Sequence, residues 1–183
     1  MRPNLLETEH LILRPFTAGD VDAAFRWFGD AEVMRFTPTG PDRSLDETAR
    51  RLATYQEHQE THGFSKWLVQ ERRSGEAIGD SGLLVLPESG NIDLGFRFLQ
   101  RFWGLGFATE VAIAWIRVAV SQLGLKRLTA FAHPENVASL KVLDKVGFHR
   151  FGSERVMGMD AITFALDVND HWDAGARRTS GWS

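Results

Sequence analysis

The chain has 183 residues and a mass of 20.6 kDa, and 43% of its side chains are hydrophobic, which suits one globular domain with an ordinary core. Twenty-one basic against 24 acidic residues give a net charge of −3 with no long run of either sign, so the electrostatic footprint of a nucleic-acid binder is missing and a basic substrate is more compatible. The lack of cysteine excludes a disulfide framework, cysteine-ligated zinc and a cysteine acyl intermediate.

The amino end has no apolar signal region and no window approaches a membrane span, so a soluble, cytoplasmic protein is expected. Leu11-Ile-Leu13 reads as a first strand, stopped by Arg14-Pro15 because proline cannot donate a ladder hydrogen bond. Thr17-x-x-Asp20 has the form of a capping box, and Val21, Ala24, Phe25 and Phe28 form the stripe of a helix reaching about Phe28. Val33 to Phe36 is ambiguous, and Pro38, Gly40 and Pro41 mark a loop before a second capping box, Ser44-x-x-Glu47. The helix predicted over 45–62 has a thin apolar face of Ala49, Leu52 and Ala53 with Tyr55 nearby, and reads as a surface lid. His58 and His62 lie four apart without the glutamate of a zinc protease, so a solvated helix face is expected and no metal site.

Strands are predicted over 67–70 and 78–86 as an antiparallel hairpin, with a turn at 88–90. In the next strand Ile92, Leu94, Phe96 and Phe98 alternate with Asp93, Gly95 and Arg97, the pattern of one buried face. From Ala108 the period becomes helical through Val111, Ala112, Trp115 and Ala119, with Gly104 and Gly106 at the junction. The first amides of such a helix lack internal acceptors, so those of Leu105, Gly106, Ala108 and Thr109, with the Thr109 hydroxyl, can seat a phosphate. A tight strand-to-helix turn alone would also explain the two glycines. Gly124 is placed as the stop of this helix. A strand over 125–133, a helix from near Asn136 to Gly147 and strands over 148–153 and 159–168 follow, then a polar tail over 170–183. The expected organisation is one domain, 1–169, plus that tail.

Three motifs stand in this order: Trp103-Gly-x-Gly106-Phe-Ala-Thr-Glu110, Asn136-x-x-Ser139, and Leu143-x-Lys145-x-Gly147-Phe148. Together they resemble the acetyl-CoA-binding motifs of the GNAT superfamily of N-acetyltransferases, most closely its RimJ/RimL-type branch, over nearly the whole chain. The resemblance implies an α+β fold, a mixed, mostly antiparallel twisted sheet of about seven strands flanked by helices on both faces. It implies acetyl-CoA as co-substrate and an amine-bearing acceptor, a peptide or protein N-terminus or a small molecule, with no metal, nucleic acid or membrane, in a monomer or homodimer. It also implies a gap beside the central strand. The pantetheine arm can then bond the edge formed by Gly95, Phe96, Arg97 and Phe98 as an added strand. The diphosphate falls on the helix start, Leu105, Gly106, Phe107, Ala108 and Thr109, and Trp103 and Gly104 just before it complete the expected cofactor-binding residues of this turn.

Direct attack of an amine on the thioester needs a base, an oxyanion donor and a proton for the thiolate. The backbone N–H near Phe96 is the oxyanion donor. Asp93 is the first candidate base, although strand periodicity alone asks for a polar residue there, and Asp160 is the second. Asn136 can bond the pantetheine or serve as an N-cap. Ser139 can protonate or solvate the departing sulfur. Many family members place a tyrosine acid where this chain has Leu143, and its single tyrosine is Tyr55. Trp103 replaces the Gln or Arg of many members, and Leu105 adds no charge for phosphates. Lys145-Val-Gly147-Phe148 reads as architecture, Trp27 and Trp67 are candidate acceptor-pocket walls, and the 34–44 loop is expected to cover the acceptor. A non-catalytic acyl-CoA-binding module is the alternative. Dinucleotide-binding and P-loop glycine patterns are absent.

Overall fold

Eight strands join a single sheet, described over residues 4–168 of a computed structural model, and alternating apolar positions give the central ones such as β5 a buried face. The tail expected over 170–183 lies outside the described residues. In chain order the elements are β1 (Leu6–Glu7), β2 (Leu11–Pro15), α1 (Val21–Phe28), α2 (Leu45–His62), β3 (Lys66–Glu71), β4 (Ala77–Val85) and β5 (Ile92–Phe98). They continue as α3 (Phe107–Ser121), β6 (Arg127–Ala132), α4 (Val137–Val146), β7 (His149–Val156) and β8 (Met159–Asp167). The sheet order is β1-β2-β3-β4-β5-β6-β8-β7, antiparallel at every pairing except β5 with β6. The expected α+β fold is therefore present with one strand more than the seven read from sequence. The extra one, β1, has two residues and cannot display a period.

The caps are local chemistry. Ser44 accepts the Glu47 N–H, and the Glu47 carboxylate returns a bond to the Arg43 N–H at 2.8 Å. Thr17 and Asp20 form the other capping box, which opens a 3₁₀ turn leading into α1. Gly63 and Gly147 end α2 and α4 at φ of 80° and 101°, a backbone region that side chains resist. Helix α3 ends at Ser121, before the Gly124 stop read from sequence, and Gly124 takes a positive φ in the connection to β6.

Each sheet face carries its own core. One packs α3 and α4 through Val111, Trp115 and Leu140 against Trp67, Val69, Leu94 and Phe98. The other gathers Trp27, Phe28, Leu52 and Tyr55 of α1 and α2 with Phe16, Met34, Leu68 and Leu99. Helix α2 is thus a packed layer and not only a lid. Trp27 and Trp67 are both fully buried, in opposite cores, with Trp67 edge-on to Trp115 at 5.0 Å, so neither walls an acceptor pocket. His58 is not on a solvated face either. Its Nε2 accepts the Val85 N–H at 3.0 Å and its Nδ1 lies 2.7 Å from the Phe64 carbonyl, tying α2 to the ends of β3 and β4.

Candidate active site

The sheet opens at one seam. Parallel strands β5 and β6 are paired only at Asp93 and Thr129, and beyond that point they part towards their C-terminal ends. The pairing of Leu99 N–H with Ile78 O and of Leu86 N–H with Asn91 O fixes which β5 groups face which neighbour. Odd-numbered residues bond β4, so the N–H and C=O of Asp93, Gly95 and Arg97 are taken, while those of Leu94, Phe96 and Phe98 face the gap. Of the edge expected from sequence, Gly95–Phe98, only Phe96 and Phe98 therefore offer backbone groups to a ligand in the gap. The Phe98 carbonyl already accepts the indole N–H of Trp103 at 2.7 Å.

At the mouth of the gap, Gly104 and Gly106 stand at φ of 74° and 87°, and a β-carbon on either would meet open space. These positions need glycine for backbone angle, not for room. Helix α3 follows at Phe107, and its first internal bond runs from Glu110 N–H to Gly106 O. The amides of Gly106, Phe107, Ala108 and Thr109 thus lack intrahelical acceptors, and the helix dipole makes that end partly positive. The Leu105 side chain projects into solvent and does not line the cleft. Glu110 turns away from the mouth: its carboxylate accepts from the Thr8 hydroxyl and from the His10 N–H at 2.8 Å.

Helix α4 closes the far side. The Asn136 side chain accepts the Ser139 N–H at 3.2 Å, so the N-cap reading holds for its oxygen, and its amide NH₂ remains available to the cleft that Asn136 and Ser139 line. Gly147 and Phe148 are architectural, as expected, the latter buried under α3 and α4.

On the α1/α2 face the same strand carries charge. Asp93 and Arg97 project there on either side of Gly95, and Arg97 makes a two-point ion pair with fully buried Asp80 at 2.8 and 2.9 Å while donating to the Tyr55 hydroxyl at 3.1 Å. Among the described residues the Asp93 carboxylate has one hydrogen-bond donor, the Thr129 hydroxyl at 3.4 Å. Burial pushes the Asp93 carboxyl up to about 8, against the pull of Lys66 and the Thr129 hydroxyl. Burial likewise pushes the Lys66 ammonium down to about 8, with Arg97 adding to the fall and Asp80 and Asp93 opposing it. Lys66 was not visible as a site residue in the sequence, where it falls just before the strand predicted over 67–70. A signal was present in Gly82 and Gly95, two strand glycines that β-propensity disfavours and that fall in one cross-strand row with Lys66.

One cleft of about 670 Å³ joins these parts. It is lined by Asp93 to Phe98, by Trp103, Gly104 and Gly106 to Thr109, by Asn136 and Ser139, and by Lys66, Arg51 and Tyr55. The 34–44 loop contributes Phe36, Thr37, Pro38 and Thr39 to this lining, with Glu32 and Val33 just before it. Leu143 lines it where a tyrosine was missed, and Tyr55 enters from α2 instead. Asp160 lies elsewhere, exposed at the β7–β8 turn opposite Arg155 at 3.8 Å, and is not brought to the cleft.

A sheet split at one parallel seam, with free amides at its mouth and a buried acid at its root, has the parts that a transferase of activated acyl groups needs. Residues 10–149 match the model of the acetyltransferase (GNAT) domain, and the chain belongs to that family of enzymes. It is 32% identical over 150 residues to YoaA of Bacillus subtilis, named as an uncharacterized N-acetyltransferase, covering 81% of this chain and 84% of the relative. Its fold is similar to that of an acetyltransferase from Agrobacterium tumefaciens, with a TM-score of 0.78 at 23% identity, covering 92% and 96% of the two chains. It is also similar to RimJ of Mycobacterium smegmatis in complex with CoA-disulfide, at a TM-score of 0.71 and 21% identity over 86% and 81%.

Proposed function

We propose that this chain moves the acetyl group of acetyl-CoA to a primary amine, in the manner of the RimJ/RimL-type enzymes, with a protein N-terminus or a small-molecule amine as acceptor. The observation that carries this reading is the meeting, in one cleft, of an unpaired strand edge at Phe96 and Phe98 with four free helix amides at Gly106 to Thr109. The donor set fits the co-substrate piece by piece. Helix amides suit a diphosphate, strand groups suit the amides of a pantetheine arm, and the Asn136 amide adds a side-chain donor on the opposite wall.

The Phe96 N–H, aimed into the gap, is the donor for the charge that develops on the thioester oxygen, and one such donor is worth about 3 kcal/mol. Asp93 takes the proton of the incoming ammonium. Its raised proton affinity, about 8, is close to that of an α-amino group, so the transfer is nearly balanced and turnover climbs as pH rises towards that value. Attack by the neutral amine then forms the C–N bond as the C–S bond breaks, and the remaining excess proton of the nitrogen passes, relayed by Ser139 or water, to the departing thiolate. Arg97 contributes its backbone to the sheet and its side chain to Asp80, not to the co-substrate.

Titration calorimetry with CoA and a thiol-release assay over a panel of amines and N-terminal peptides test the reading together. Heat with CoA and thiol release with at least one amine are expected. No heat at millimolar CoA overturns it.

A further inference from the structure

The buried lysine is the group that the reaction scheme leaves without a task. Its position is unusual for a residue 6% exposed, because its chain crosses the sheet instead of leaving it. Lys66 on β3 pairs in register with Gly82 on β4, and Gly82 pairs with Gly95 on β5. Neither glycine has a side chain to stand in that row. A β-carbon on Gly95 would collide with Lys66 Nζ, so the ammonium rests directly on β5, between the positions of Asp93 and Arg97 on the same face. A β-carbon on Gly82 would strike the Ser65 carbonyl, so that glycine lets β3 approach closely enough for the reach.

Charge matching decides which neighbour the ammonium serves. The groups that face it are Asp80 from β4, Asp93 and Arg97 from β5, and Arg51 and Tyr55 on the α2 wall of the cleft. Asp80 is engaged at both oxygens by Arg97, and Arg51 by Asp42 at 2.6 Å. Among the described residues of this group, that leaves one carboxylate without an ion-paired cation, Asp93, and one cation without an ion-paired carboxylate, Lys66.

We propose that Lys66 is a positioning residue of the acetyl-transfer centre, reaching over Gly82 to rest on Gly95, where its ammonium eases the ionisation of Asp93 so that it can accept the amine proton. The inference rests on the reading of Asp93 as the base. Burial alone would keep the Asp93 carboxyl protonated at neutral pH, and the neighbouring ammonium works against it. Removing the ammonium therefore moves the ionisation of Asp93 to higher pH. Each unit of movement costs about tenfold in the ionised fraction at pH 7.

Two variants test this by independent routes. Lys66→Met keeps the chain and removes the charge. Gly95→Ala keeps the lysine and displaces its flexible tip by adding one methyl group. The measurement is kcat/KM for acetyl transfer from pH 6 to 10, with CoA affinity by calorimetry and the fold by circular dichroism. Both variants should bind CoA as the wild type does, lose at least about tenfold in kcat/KM at pH 7, and recover much of it at pH 9 to 10, an alkaline shift that a merely structural strut would not produce. An unshifted pH profile in a folded Lys66→Met or Gly95→Ala protein overturns the proposal and leaves the base assignment standing. If Asp93→Asn also leaves the wild-type rate and profile intact, it is the base assignment that fails. Should Lys66→Met not fold, Gly95→Ala decides.

Discussion

The indole N–H of Trp103 is bonded to the carbonyl of Phe98 at 2.7 Å, which ties the last gap-facing group of β5 to the turn that carries the two left-handed glycines. The strand edge and the helix mouth are thereby held at a fixed separation. Trp103→Phe keeps an aromatic ring on this half-exposed turn and removes the tie, worth about 1 kcal/mol. CoA affinity is expected to fall about fivefold in calorimetry, with a small drop in melting temperature.

Gly106 requires its positive φ, and its β-carbon would meet no atom. Gly106→Ala therefore measures backbone strain alone, about 1–2 kcal/mol. Gly106→Glu adds a carboxylate that occupies the free amides itself and repels a diphosphate. It should lose at least tenfold more CoA affinity than the alanine variant, and equal losses in the two would remove the diphosphate from this helix start.

Asp93→Asn keeps the shape of the side chain and the Thr129 contact while removing the base. CoA affinity should stay within twofold, kcat should fall by about 10²–10³, and the rise of rate with pH towards 8 should flatten. A wild-type slope in the variant would assign that titration to the substrate amine.

His58 is held neutral, since its Nε2 must stay unprotonated to accept the Val85 N–H. Burial and His62 keep its pKa below the ordinary 6.5. The native state thus binds fewer protons than the unfolded chain, and stability declines as pH falls below 6.5. His10, raised by its Glu110 hydrogen bond, works in the opposite sense, so the comparison needs a variant. His58→Phe should lower the urea midpoint at pH 7.5 and lose less than the wild type between pH 7.5 and 5.5.

Where one stretch of chain carried the whole signal, the sequence was sufficient. The alternation of 92–98, the Gly104/Gly106 junction and the Ser44 cap each rest on neighbours a few residues apart, and each stands where it was read. Features that depend on register were invisible. Lys66, Gly82 and Gly95 form a row only once three strands are aligned, and the same alignment shows that Gly95 and Arg97 spend their backbone groups on β4. For Trp27 and Trp67 the sequence alone does not separate a pocket wall from a core position, because tryptophan suits both, and the two-sided packing decides for the core. Asp160 differs from Asp93 by strand position alone: one lies at a hairpin end in solvent, the other at the root of the seam.

Glu110 sits in the first turn of α3, where a loose carboxylate would cancel much of the positive potential that the amides offer to an anion. Thr8 and His10 hold it on the outer side of the helix, so the turn between β1 and β2 acts as a remote guard of the binding mouth. Ligand strength is then hostage to a contact beside the first turn of α3, and a Thr8→Val change, which touches no ligand, should weaken the grip on polyanions by loosening a competitor already resident in the helix.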